Sequence, residues 1–253
     1  MTARTPTEAD LMVAIGISKR FGGVQALRDV DLVVRKGEVH GLVGANGAGK
    51  STFIRLLAGV HTPDSGSFYV NGEPVSIATP HEAVELGFSF IHQELNLVPG
   101  FSALKNMSLG LPKAKRFGLI DWSRVRRQAQ GVADRLGMKF DLDTSVEDLS
   151  VADQWLVSIG RALLWEARLI AMDEPTASLS AQETEQLFQI VRDLTDQGIA
   201  ILYVSHRLDE ILELCDKVTV FRVLGTVAVM PYGISHLHEF IWRGRSMKIA
   251  ATM

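Results

Sequence analysis

Cysteine is almost missing from this chain. Cys215 stands alone among 253 residues, so no disulfide framework holds one chain together and a packed core has to do so. Placed before charged Asp216 and Lys217, it reads as a core thiol at the end of a helix. A positive excess is missing too. With 26 Lys and Arg against 29 Asp and Glu the net charge is −3, which argues against sequence-independent binding of nucleic acid. No apolar run reaches the ~18 residues of a membrane span before Gly, Pro or charge interrupts it. The opening MTARTPTEADLMVAIG puts acidic residues ahead of its short apolar run, which is not the order of a secretory signal. Internal repeats and low-complexity tracts are also lacking. These absences leave the expectation of a soluble, cytosolic protein whose contact with a membrane, if any, runs through a partner.

What is present reads as two kinds of pattern. From Leu11 to Val70, short β-rich runs (Leu11 to Ile17, Val30 to Val34, Val39 to Val43, Ser67 to Val70) are broken by turn residues such as Asn71-Gly72, which predicts a mixed sheet. Thr79, Pro80 and Glu82 then supply an N-cap, a first-turn proline and a capping-box acid for a short helix closed by Gly87. Phe88 to Ile91 follows as a buried strand. Between about Ser102 and Leu164 strand signals vanish, and helical stretches such as Trp122 to Leu136, ended by Gly137, take over. Arg124, Arg126 and Arg127 there read as a solvated helix face. Strands return at Leu169 to Met172 and Ile199 to Val204, separated by an amphipathic helix from Ala181 to Gln197 with Gly198 at its end. Strand, helix and strand in that order imply a parallel α/β sheet.

The chemistry begins at Gly44-Ala45-Asn46-Gly47-Ala48-Gly49-Lys50-Ser51, which satisfies G-x-x-x-x-G-K-[ST]. It lies between the apolar strand Val39 to Val43 and a helix-like stretch, Thr52 to Ala58. In that setting the glycines let backbone N–H groups close around phosphates, and the helix points its positive end at them. Lys50 adds a point charge and Ser51 a hydroxyl ligand for Mg²⁺. A chance Gly-rich turn would not be expected to place Lys-Ser at a helix start directly after a buried strand. A carboxylate for the metal comes from Leu169-Ile170-Ala171-Met172-Asp173-Glu174, at the end of an apolar strand. Ligands of open α/β sheets gather at those strand ends. Asp173 is expected to hold Mg²⁺, directly or through water, and Glu174 to polarise the attacking water.

With these residues the chain resembles the ATPases of ABC transporters, and within them the amino-terminal cassette of bacterial monosaccharide importers of the ribose, xylose and galactose group. The resemblance runs from about Val13 to Arg222. Its most specific element is Leu149-Ser150-Val151-Ala152-Asp153-Gln154, similar to the signature L-S-G-G-Q as the sugar-importer branch varies it. The residues themselves read as an N-cap, Ser150, with a capping-box acid, Asp153, heading a helix from Gln154 to Leu164. The resemblance implies that Ser150 completes the ATP site of another cassette in trans. Val151, Ala152 and Asp153 depart from Gly, Gly and Gln, narrowing the approach to the γ-phosphate and adding a negative charge unless capping turns it inward.

Further roles are likewise implied by the resemblance. Gln93 matches the glutamine that contacts metal and water, and His206 the switch histidine at the γ-phosphate. Phe21 stands where an aromatic stacks on adenine, and Ala177-Ser178-Leu179-Ser180 matches the loop that crosses to the other cassette, with Ser180 where Asp is common. The catalytic set is thus Lys50, Gln93, Glu174 and His206. The nucleotide set is Gly44 to Thr52, including Ala45, Asn46, Gly47, Ala48, Gly49, Lys50 and Ser51, with Phe21 and, in trans, Ser150. The metal set is Ser51, Gln93 and Asp173. The cofactors implied are ATP and Mg²⁺.

The implied fold is α/β: a P-loop NTPase core with a mixed, largely parallel sheet, an N-terminal antiparallel β subdomain and an inserted α-helical subdomain. One ATPase domain would cover 1–222, with the helical insertion at about 100–164, and 223–253 would form an atypical tail. The implied partners are a second ABC cassette, as a homodimer or a separate chain, an integral-membrane permease, and indirectly a sugar-binding protein, with no nucleic acid. The implied place is peripheral, on the cytoplasmic face of the membrane.

Resembling importers carry two cassettes in one chain, and the stretch from Val223 to Met253 shows neither the expected hairpin nor the helix after it, so a truncated or frame-shifted end is expected. His236 and His238 there lack a second ligand pair and are assigned no metal. Two rival readings remain. A soluble ABC ATPase acting on DNA or ribosomes would bring coiled-coil insertions or basic linkers, and neither is found. A non-catalytic nucleotide-binding remnant is the other, suggested by the missing half.

Overall fold

In the computed structural model, residues 7–111, 115–116, 119–222 and 228–231 are described. The strands are β1 (Asp10–Phe21), β2 (Val24–Arg35), β3 (Val39–Gly44), β4 (Ser65–Val70), β5 (Glu73–Val75), β6 (Phe88–Ile91), β7 (Lys115–Arg116), β8 (Leu119–Ile120), β9 (Leu169–Asp173), β10 (Ala200–Val204), β11 (Lys217–Phe221) and β12 (Ala228–Pro231). The helices are α1 (Lys50–Leu57), α2 (Pro80–Glu85), α3 (Ala103–Met107), α4 (Trp122–Arg135), α5 (Val151–Leu164), α6 (Ala181–Asp196) and α7 (Leu208–Leu214).

Two sheets organise these elements. One is antiparallel with order β2-β1-β4-β5, and the other has order β12-β11-β3-β10-β9-β6. In the second, β11, β3, β10, β9 and β6 run parallel, and only the edge strand β12 is antiparallel. This is the expected α/β architecture: an antiparallel N-terminal sheet beside a mixed, largely parallel one.

Strand alternation builds two cores. Leu42, Leu169, Ala171, Leu202 and Val204 point into one that also holds Leu32, Phe53 and Phe68, between the parallel strands, α1 and the antiparallel sheet. Val43, Ile170, Met172, Ile201 and Tyr203 point the other way, against Phe188 of α6 and Ile211 of α7. Strands buried on both faces explain why these runs read as continuously apolar. Phe53 of α1 lies edge to face against Phe68 at 6.3 Å and Phe221 at 5.7 Å, fixing the helix between the two sheets. A third cluster, with Leu104, Met107, Ala129, Ala133 and Val157, packs α3, α4 and α5 together.

The differences from expectation have local causes. β1 and β2 are longer than their apolar stretches, because they form a hairpin whose turn end, from Arg20 to Val24, is exposed and carries no buried pattern. A left-handed Gly16 and irregular register in β1 further break the alternation. α1 starts at Lys50 instead of Thr52 and α5 at Val151 instead of Gln154, since the first turn of a helix need not be apolar. The short β7–β8 hairpin lies inside the stretch expected to lack strands. β12 lies in the tail expected to lack a hairpin and pairs with β11 from Lys217 opposite Pro231 to Val220 opposite Ala228. The other tail residues, with His236 and His238, lie outside the described residues. Cys215 is the buried C-cap of α7, and burial pushes its thiol well above the ordinary value. Among the described residues no helix is long and apolar enough to cross a membrane.

Candidate functional site

The phosphate loop takes its shape from glycines at two tight places. β11 runs beside β3 with Phe221 opposite Gly44, and a Cβ on Gly44 would lie 2.4 Å from the Phe221 carbonyl oxygen. Gly49 is the N-cap of α1 with φ 102°, and a Cβ there would lie 2.6 Å from the carbonyl oxygen of Ala26. Between them Ala48 N donates to Ala45 O at 3.1 Å, closing the loop on itself. The Lys50 ammonium donates back to the carbonyls of Gly44, at 2.7 Å, and Ala45, at 3.2 Å. Burial pulls Lys50 below its ordinary value, and the charges of Glu174 and Asp173 act against that pull. The two acids therefore lie within electrostatic reach of the loop lysine, as their strand-end positions predicted.

Asp173 ends β9 and pairs with Val204 at the end of β10, the strand next to β3. Glu174 follows in the left-handed conformation, φ 51°, with its N–H donating to Val204 O at 2.8 Å. His206, two residues beyond β10, brings its Nδ1 to 2.8 Å from Glu174 Oε2. Gln93 is two residues beyond β6, whose Ile91 pairs with Met172, so it emerges, exposed, beside the Asp173–Glu174 strand end. Lys50, Asp173, Glu174 and His206 are thus brought together at the carboxyl ends of adjacent parallel strands, with Gln93 at their edge.

A cleft of about 720 Å³ runs along the loop, walled by Asn46 to Thr52 on one side and Gly23 to Ala26 of the β1–β2 hairpin on the other. Ser51, exposed, and Thr52, partly buried, face it from the first turn of α1. Phe21 is on the same hairpin but outside that lining. It packs edge to face on His61 with centroids 5.1 Å apart, and the Lys19 ammonium lies 5.6 Å from its ring.

Ser150 caps α5 as expected: its hydroxyl accepts from Asp153 N at 3.1 Å and donates to Asp153 Oδ2 at 2.7 Å. The extra acid is turned onto the capping serine. No hydrogen bond or ion pair, among the described residues, joins Ser150 to the Lys50 group. Ser180, in the loop expected to cross to a partner, caps α6 in a full capping box with Glu183.

One element escaped the sequence reading. Glu210 of α7 is 3 % exposed, accepts hydrogen bonds from Thr176, Tyr203 and Ser205 and pairs with the Arg207 guanidinium, all residues close in the chain to Glu174 or His206. Its spacing four residues before buried Leu214 was the available signal, because that puts an acid on the core face of a helix.

These features define an α/β protein with a P-loop lysine, two acids and a histidine at the carboxyl ends of neighbouring parallel strands. The ABC transporter family model matches residues 27–177. The chain belongs to the ABC transporter family. It is 46 % identical over 212 residues to the ribose import ATP-binding protein RbsA 1 of Burkholderia thailandensis, covering 84 % of this chain and 42 % of that protein. It is 47 % identical over 221 residues to the arabinose import ATP-binding protein AraG 2 of Burkholderia cenocepacia, covering 87 % and 42 %. The chain therefore spans about two-fifths of the length of these curated relatives. Among solved structures, the ADP conformation of MJ1267, an ATP-binding cassette of an ABC transporter, superposes with a TM-score of 0.77 at 27 % identity, over 88 % of this chain and 91 % of that one.

Proposed function

We propose that the chain binds MgATP and hydrolyses it to drive import of a monosaccharide through a membrane permease. The observation that carries this is the convergence of the phosphate-loop ammonium, two strand-end acids and a histidine, in a chain whose relatives are named for ribose and arabinose import. ATP lies along the cleft with its phosphates on the amides of residues 44–52 and the start of α1. Lys50 exchanges its bonds to Gly44 and Ala45 for bonds to phosphate oxygens. Glu174 orients and polarises the attacking water, and His206, held through Nδ1, presents its other ring nitrogen to the transferring phosphoryl group. Phe21 is the base-stacking residue, released from His61 as the nucleotide enters.

The donor set suits Mg²⁺: a hydroxyl from Ser51, a carboxylate from Asp173 and an amide oxygen from Gln93 are all hard oxygen ligands. When bound, the ion supplies neutralisation of the charge on the phosphates. In this reading residues 1–222 form the ATPase domain, 100–164 its helical insertion and 223–253 a tail. A second cassette contributes its own Ser150 in trans, and the assembly lies on the cytoplasmic face of the membrane against the permease, with a sugar-binding protein delivering solute.

Calorimetry with MgATP, together with phosphate release from the purified chain alone and mixed with a partner cassette, tests the proposal. Saturable binding that Lys50→Ala weakens by about tenfold or more supports it. Absence of binding, or equal binding by the variant, defeats it.

A further inference from the structure

Next in the chain to the reacting groups, three hydroxyl donors and a guanidinium converge on one carboxylate. Glu210 Oε1 accepts from Thr176 Oγ1 at 2.6 Å and forms an ion pair with the Arg207 guanidinium at 2.7 Å. Its Oε2 accepts from the Tyr203 hydroxyl at 2.9 Å and from Ser205 Oγ at 3.1 Å. Ser205 Oγ in turn accepts from the backbone N–H of Arg207 at 3.0 Å. These partners belong to two separate pieces of chain, one at Thr176 and one from Tyr203 to Arg207. Thr176 is two residues past Glu174, Tyr203 is the second-to-last residue of β10, and Ser205 and Arg207 flank His206 on either side.

A carboxylate only accepts, so a single group orients all three hydroxyls and pairs with the guanidinium. Burial, and then the charge of Glu210, push the Tyr203 phenol above its ordinary value, so its hydroxyl keeps the proton that it donates. Removing partners from a carboxylate this deeply buried is costly, which ties the segments to one another. Stability alone would account for a buried network anywhere in the fold. Its location is more specific. The loops joined through Glu210 are those that carry Glu174 and His206, and Glu174 N also donates to Val204 O at 2.8 Å. The two segments that carry Glu174 and His206 are therefore tied twice, by a backbone bond at the strand ends and through Glu210.

We infer that Glu210 is a positioning residue for the hydrolytic step: by holding Thr176 together with Ser205 and Arg207, it keeps Glu174 and His206 in register. The inference rests on the ATP-hydrolysis reading above. It makes no contact with nucleotide necessary, and it assigns to α7 a role that its short, mostly apolar sequence does not announce.

Two variants release the clamp without emptying the core. Glu210→Gln keeps the shape but loses the charge partner of Arg207 and one acceptor oxygen. Thr176→Val removes a single donor with little change in volume. Phe188→Leu is the comparison. It lies 6.2 Å from Tyr203 in the core, makes no hydrogen bond to Glu210, and weakens the fold through packing. For all three the readouts are melting temperature, MgATP affinity by calorimetry, kcat and KM. The His206 imidazole signal in the nucleotide-free chain is followed by NMR and assigned by its loss in His206→Gln.

The expected result for Glu210→Gln and Thr176→Val is a fall in kcat of about tenfold or more, with KM and affinity within about threefold, and a shifted His206 signal. Phe188→Leu lowers the melting temperature and leaves the His206 signal in place. An unmoved His206 signal in both clamp variants overturns the inference. So does a loss of kcat no larger than that of Phe188→Leu at a matched drop in melting temperature. If the wild-type chain releases no phosphate from ATP, the hydrolysis reading is what fails, while the His206 signal still decides whether Glu210 positions the two side chains.

Discussion

His206 and Glu174 meet across 2.8 Å, Nδ1 to Oε2, although 32 positions separate them in the chain. The meeting follows from topology. β9 and β10 are parallel neighbours with Asp173 opposite Val204, so the residues that follow each strand emerge at the same sheet edge. Glu174 turns there through a left-handed backbone, φ 51°, a conformation that costs a non-glycine residue about 1–2 kcal/mol. As a carboxylate it can only accept, so Nδ1 carries the shared hydrogen and the imidazole is fixed in orientation with its second nitrogen available.

Glu174→Gln should separate binding from chemistry. The amide keeps the size of the side chain and removes the basic oxygen, so MgATP affinity is expected to stay within about threefold while turnover falls about 10²-fold or more. Single-turnover phosphate release beside calorimetric titration measures both. Loss of less than about tenfold in turnover would remove Glu174 from the role of general base.

Much of this arrangement was legible in the chain. The Gly-x-x-x-x-Gly-Lys-Ser pattern placed Lys50 at the start of α1, and the apolar run ending in Asp173 and Glu174 placed both acids at a strand end, because each reading rests on local periodicity and local turn chemistry. The Ser150 and Thr79 caps were legible for the same reason. Other features depend on pairing between distant segments. The Phe21 ring rests on His61, forty positions away, and nothing local to either residue specifies that contact. Glu210 reads as an ordinary helix glutamate until Thr176, Tyr203 and Ser205 are brought to it by the sheet. β12 is invisible as a pattern because an edge strand needs only a partner's backbone, here that of β11.

The two left-handed glycines of the phosphate loop should not be equivalent. Gly47 has φ 78° and open space where a Cβ would be, so Gly47→Ala carries only the conformational cost, about 1–2 kcal/mol. Gly49 has φ 102°, and its Cβ would meet Ala26 O and Leu27 Cδ2, each at 2.6 Å. A backbone oxygen of β2 cannot swing aside as a side chain can, so Gly49→Ala should lose at least about 1 kcal/mol more than Gly47→Ala and should also displace the cleft wall at Ala26. Urea denaturation of the two variants is the measurement, and equal losses would show that the β2 contact is not limiting.

Ser150 has two readings that one substitution separates. Its hydroxyl is engaged on both sides by Asp153, so Ser150→Ala should cost the cap, about 0.5–2 kcal/mol of stability. If it also serves a partner's nucleotide, MgATP affinity of the single chain should be unchanged while turnover of the assembled pair falls. A variant that loses stability but keeps full paired turnover confines Ser150 to capping.

The far end of the parallel sheet supplies a test of acid stability that leaves the nucleotide site alone. β3 runs from Val39 to Gly44, so Glu38 lies at the end opposite the phosphate loop. Its carboxylate is nearly buried, with His40 Nδ1 at 3.1 Å and the Lys217 ammonium in contact, and His40 Nε2 reaches Thr219 Oγ1 at 2.7 Å. Burial alone would raise this carboxyl, but the hydrogen bonds and charges of His40 and Lys217 outweigh it and hold the group below its ordinary value of 4.5. A carboxyl depressed in the folded state stabilises fully above its unfolded value, and the contribution disappears as pH falls through the folded value. Glu38→Gln should therefore cost about 1–3 kcal/mol at neutral pH, with the gap to wild type narrowing once pH drops below about 4.5. Denaturation curves from pH 7 to pH 3 decide the matter: a gap that stays constant across that range would mean that packing around His40, and not the charge on Glu38, holds the strand end in place.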